Sequence, residues 1–105
     1  MKPISYFIET RGDSCENCGK PFGRYNYPNR HHCLEPRMKG KPELDDEVNI
    51  EITGFSCCHI SGMLDTQEHA IEFARRQIAR GYDVLSWYEN LDLKTRRFPN
   101  LKSMI

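Results

Sequence analysis

Apolar positions along the chain fall into short groups with different spacings. Residues 4–8 (Ile4-Ser5-Tyr6-Phe7-Ile8) read as a short strand or a packing arm, broken by Gly12 and Asp13. Residues 22–27 are aromatic and alternating and predict a strand or hairpin arm, with a turn at Pro28-Asn29. Residues 30–34 predict a second short strand, stopped by Pro36. Residues 37–47 are charged, carry Gly40 and Pro42, and predict a long surface loop. Period-two alternation over residues 48–52 predicts a strand with Val48, Ile50 and Ile52 on one face and Asn49 and Glu51 on the other.

The spacing then changes. Thr53-Gly54-Phe55 closes the strand, and Ser56 is a suitable N-cap for a short helix carrying Cys57, Cys58, His59 and Ile60, ended by Gly62. A longer helix is predicted over residues 66–80, capped by Thr66 or Asp65. Acidic side chains lie in its first turn, arginines in its later turns, and its apolar stripe is Ile71, Phe73, Ala74 and Ile78. Gly81 suits the C′ position, residues 82–93 return apolar bulk to the core, and Pro99 starts a tail expected to be loose. The whole reads as one α+β domain over residues 1–105, with a core motif at about 14–62 and a helical extension over 63–98.

Composition narrows this picture. A chain of 105 residues with 38% hydrophobic and 29% charged residues is globular, but its core is thin enough for a bound metal to help it. No apolar run approaches the roughly 20 residues that span a bilayer, and the apolar patch at residues 4–8 is too short for a signal-peptide core. The formal charge is zero, with 15 basic and 15 acidic residues, so bulk charge does not point to nucleic acid. Its distribution does so weakly. Arg30, Arg37 and Lys39 lie near the histidine pair and are the candidate phosphate contacts, whereas acidic residues gather at 43–47.

Five cysteines without a secretory signal read as thiols in a reducing cytoplasm, where metal ligation is the main reason to keep them. Cys15-Glu-Asn-Cys18-Gly19 has the form of a metal knuckle, with Gly19 free to adopt the left-handed turn around an ion. The plainer reading is two free thiols in a loop. The other ligands are open at this point: Cys58, with Cys57 and Cys33 as candidates for the fourth. A two-cysteine, two-histidine finger has the right interval from Cys18 to His31, but no second histidine follows where one is needed.

The remaining chemistry lies in His31-His32, Asn49 and Cys58-His59. Phosphodiester hydrolysis needs a base for water, a cation for developing charge, and a group that orients the base. Imidazole serves as base or as ligand to a divalent metal. A strand–loop–strand–helix unit can bring these residues together, although adjacent histidines on a regular strand point to opposite faces. Taken alone, His31-His32 and His59 read as surface histidines and Asn49 as a solvent-facing strand residue. His69 is given no role, and Tyr25 and Tyr27 beside the knuckle can contact nucleic acid.

The order Cys-x-x-Cys, His-His, charged loop, Asn, Cys-His resembles the HNH endonuclease family, especially small phage and bacterial members with a zinc knuckle. The resemblance covers about residues 14–62. It implies a ββα-metal, treble-clef-like unit with a structural zinc and added C-terminal helices. It also implies DNA as substrate, in the cytoplasm of a bacterial host and with no membrane, and allows a larger phage or bacterial partner. It gives His32 the role of general base and Asn49 that of tying the hairpin. His31 and His59 become ligands of a catalytic divalent ion (Mg²⁺, Mn²⁺, Ni²⁺ or Zn²⁺). The chain departs from the family at Phe55, where a cysteine is usual, and carries Cys57 beside Cys58 instead. The alternative is a zinc-binding module for nucleic acid or protein, without catalysis.

Overall fold

The structure, a computed structural model, describes residues 1–105. It is a small mixed α/β arrangement around one antiparallel hairpin. Strand β1 (Pro28–His32) pairs with β2 (Ile50–Gly54), which sets Arg30 opposite Ile52 and His31 opposite Glu51. Pro28 opens β1, where a missing ladder donor is tolerated, so the turn expected there is strand. Residues 22–27, expected as a strand, hold only an isolated bridge between Gly23 and Asn26. Asn26 is turned inward and used by its side chain.

Strand β2 starts two residues later than the alternation suggests. Glu47–Asn49 is a 3-10 turn whose Val48 amide is capped by Asp46 Oδ1 at 3.0 Å. The loop expected over residues 37–47 contains a second such turn, Pro42–Asp45, which buries Leu44. Asn49 and Glu51, expected to face away from the core, are both fully buried.

One face of the hairpin presents Ile50 and Ile52, and these pack with Phe7. Residues 4–8 are therefore not a strand or an extended arm but part of helix α1 (Ile4–Arg11), which places Ile4 and Phe7 one turn apart to cover that face. Arg11 fastens the helix to the sheet by donating to the carbonyls of Ile50 at 2.5 Å and Glu47 at 3.0 Å. The free edge of β2 is not left open. Glu16 imitates a strand there: its amide donates to Ile52 O at 3.0 Å, and its carboxylate accepts from Ile52 N at 2.5 Å. The same carboxylate is paired with Arg11 and Arg80.

The other face is covered by the segment after β2 and by α2 (Gln67–Ala79). Thr66 caps α2 by accepting from His69 N at 3.1 Å. Its buried side is His69, Ala70, Phe73, Ala74 and Gln77, rotated from the predicted stripe, and Ile78 is 43% exposed. Buried polar groups cause the rotation. Gln77, for example, donates to the carbonyls of Glu47 and Val48 at 3.1 and 3.0 Å, so it belongs inside.

Helix α3 (Val84–Glu89) and α4 (Leu101–Met104) complete a core that includes Leu34, Leu44, Phe73, Val84, Tyr88 and Leu101. The tail after Pro99 is thus not loose. Phe98 and Leu101 are buried, and Phe98 N donates to Tyr88 Oη at 2.9 Å. No helix is long and apolar enough to cross a membrane.

Candidate metal centre

Two turns deliver four sulfurs to one point. The first is the Cys15–Cys18 knuckle, where Gly19 takes φ +80° and donates to Cys15 O at 2.8 Å. An amide from Cys15 to Lys20 O at 2.8 Å and the bridge between Ser14 and Pro21 close the loop behind it. The second turn is Phe55–His59. It is a π-turn closed by Ile60 N donating to Phe55 O at 3.1 Å, not the helix capped by Ser56 that the sequence suggests.

Asn26 locks the second turn in place. Its Oδ1 accepts from Ser56 N at 3.1 Å and Cys57 N at 3.0 Å, and its Nδ2 donates to Pro21 O at 3.2 Å, next to the knuckle. A Cβ at Gly54 would collide with this amide and with the Cys57 sulfur, so the approach needs glycine.

The sulfurs of Cys15, Cys18, Cys57 and Cys58 all lie within 4.8 Å of one another. Zinc–sulfur bonds of about 2.3 Å in a tetrahedron set sulfurs about 3.8 Å apart. Cys15 Sγ and Cys58 Sγ are 3.7 Å apart, which fits that spacing without rearrangement. The group can hold a metal ion such as zinc, and its members are free thiols. Of the two candidates left open for the fourth position, the sulfur that lies with the other three is that of Cys57, whereas Cys33 falls in a different group. The Lys20 backbone amide favours the Cys18 thiolate and lowers that thiol to about 7. Burial pushes Cys58 up to about 12, against an opposing hydrogen bond from Asn17 Nδ2 at 3.3 Å. Burial also raises Cys57. A cation among these sulfurs would offset the burial that holds the two thiols protonated.

The histidines behave differently. His31 and His32 follow the strand alternation and leave β1 on opposite faces. His32 Nε2 lies 2.8 Å from Asp45 Oδ1, and Asp45 in turn lines a mainly acidic groove with Glu43, Asp46, Glu47 and Lys2. His59 is exposed, with its ring 5.8 Å from that of Phe55, which stacks on Tyr27 at 4.6 Å. It belongs to neither group of metal-capable side chains, so His31 and His59, expected to share an ion, are not brought together.

Asn49 is buried and fully used. Its Oδ1 accepts from Leu34 N and Glu35 N at 2.9 and 3.1 Å, and its Nδ2 donates to Glu35 O and Leu44 O, both at 2.8 Å. That leaves nothing to touch a substrate, and makes it the tie between the end of β1 and the turn before β2. Arg30 donates to Lys2 O at 3.0 Å, while Arg37 and Lys39 stand exposed on the loop.

Sequence reading passes over three residues beside His31 (Glu51, His69 and Arg76) and offers Cys33 only as a ligand of the structural zinc. Glu51 is fully buried and binds His69 Nε2 at 2.7 Å and Arg76 at 3.1 Å, and Cys33 and Glu51 lie within 4.8 Å of the His31 donor. The pairing of His31 with Glu51 is the signal that could have found them, once the hairpin register is fixed. Burial lowers the His31 pKa, with the charge of Glu51 acting the other way. No protein-family model, no curated protein and no solved structure matches the chain.

Proposed function

We propose that the chain is a metal-dependent endonuclease of the HNH type, hydrolysing DNA phosphodiester bonds on a hairpin stapled by zinc at Cys15, Cys18, Cys57 and Cys58. The observation that carries this reading is the pairing of His32 with Asp45 at 2.8 Å. With Nε2–H donating to that carboxylate, Nδ1 keeps its lone pair and has no protein partner. One nitrogen is then anchored and the other can take a proton from water, as a general base requires. Asp45 holds the ring and stabilises the imidazolium that forms. A catalytic divalent ion would supply stabilisation of charge on the phosphoryl oxygens; His31, on the opposite face of β1, would not reach it beside His32. Arg37 and Lys39 are free to meet phosphates.

A second reading is favoured by specific geometry. His31 and His32 leave opposite faces of β1, His59 stands apart, and the groove beside Asp45 is mainly acidic. A zinc-stapled module that binds nucleic acid or protein without catalysis needs none of these residues to converge. Supercoiled plasmid incubated with protein and Mg²⁺, Mn²⁺ or Ni²⁺ separates the two. The nuclease reading expects nicking that His32→Ala abolishes while the fold survives. Absence of nicking on every DNA form and with every metal leaves the binding module.

A further inference from the structure

Outside the four-cysteine cluster, the polar groups on the covered face of the hairpin form a second constellation. His31 projects from β1 beside Glu51 on β2, and Cys33 follows one alternation later on the same side. One donor atom from each lies within 4.8 Å of the other two. We propose that His31, Cys33 and Glu51 form a second metal site, for a borderline divalent ion such as zinc, distinct from the cysteine cluster.

Three features of the site support this. His31 Nε2 is buried without any hydrogen-bond partner, an expensive state for an imidazole nitrogen unless something else meets it. The donor set of imidazole, thiol and carboxylate is one that zinc accepts and that Mg²⁺ or Ca²⁺ does not favour. Bonds of about 2.0–2.3 Å in a tetrahedron place such donors about 3.4–3.7 Å apart, so the group needs to close by only about 1 Å.

The surroundings are those of an outer shell. His69 Nε2 donates to Glu51 Oε1 at 2.7 Å, and Arg76 donates to Oε2 at 3.1 Å, which together fix the carboxylate. The His69 ring centroid is 6.2 Å from that of His31. Three protein donors leave a fourth position, as in zinc sites that keep an exchangeable ligand. The site lies on the hairpin face opposite the His32–Asp45 pair, so it stands whether or not that pair is catalytic.

Zinc content of the full chain, measured by elemental mass spectrometry after exhaustive dialysis, reads the proposal directly. About two equivalents per chain are expected in the wild type, and about one in His31→Gln and in Cys33→Ser, with the helical circular dichroism retained. Cobalt substitution gives a second readout. Thiolate-to-cobalt absorption should fall by about a fifth in Cys33→Ser, because five thiolates become four. One equivalent in the wild type overturns the proposal whatever the variants do. Two equivalents retained in both variants, or cobalt absorption unchanged by Cys33→Ser, overturn it as well.

Discussion

The helical part of the molecule and its knuckle end are held by different physics. Toward α2, α3 and α4 lies a conventional core of 12 buried residues, among them Phe73, Leu44 and Tyr88. At the knuckle end the buried apolar set is only Cys15, Cys58 and Leu64. There the order comes from Asn26, Glu16 and the two cysteine turns, whose sulfurs can hold an ion such as zinc. The helical half can lose water from large side chains, which stabilises in proportion to area. The knuckle half has little area to bury, so its geometry depends on directional bonds.

If that contrast is right, substitutions on the two sides should differ in kind. Cys58→Ser should have the largest effect. Structural zinc in small finger peptides supplies about 10–16 kcal/mol, so losing a ligand should cost more than about 5 kcal/mol of order in the knuckle half. Zinc at the cysteine cluster should be lost, leaving about one equivalent per chain at the proposed second site, while much of the helical signal persists. In the helical half, Phe73→Ala empties a fully buried site and should cost about 3–5 kcal/mol in chemical denaturation, with zinc content unchanged.

Asn49→Ala removes four hydrogen bonds that tie the end of β1 to the turn before β2, and strands two amides and two carbonyls. A loss of about 2–4 kcal/mol is expected, and a value near zero would mean that water replaces the side chain. The smallest effect is expected at Tyr88, whose hydroxyl donates to Glu35 Oε2 at 2.9 Å. Tyr88→Phe should cost about 1–2 kcal/mol at neutral pH. Burial, and then Glu35, push the Tyr88 phenol upward. A raised folded pKa keeps its stabilisation whole below the unfolded value of about 10 and loses it as pH climbs from there toward the folded value. Denaturation curves of the wild type should therefore weaken above about pH 10, and those of Tyr88→Phe should weaken less.

The sequence makes the hairpin order readable, and it makes the knuckle readable at Gly19, whose φ of +80° is what a Cys-x-x-Cys-Gly turn leads one to expect. Thr66 as the α2 cap and Gly81 beyond its end are equally local signals. What stays hidden is polar burial satisfied from a distance. Asn26 and Asn49 look like turn and strand-surface residues, because their value lies in backbone partners up to 31 positions away. Glu51, His69 and Gln77 look outward on any hydropathy pattern, and each is inside because another element supplies its bonds. The same blindness placed His31 and His59 on one ion with His32 beside it as the base. Residue order gave no view of the strand faces that part the first two, or of the turn that carries the third away.

The proposed dependence of the knuckle half on zinc can be tested amide by amide. Hydrogen exchange of the full chain, with and without a zinc chelator, should show protection lost at the amides of Gly19, Cys57 and Ile60 and kept through α2 and α3. Unchanged protection at those three amides, or an equal loss across both halves, would contradict the division of the molecule into a metal-held half and an apolar one.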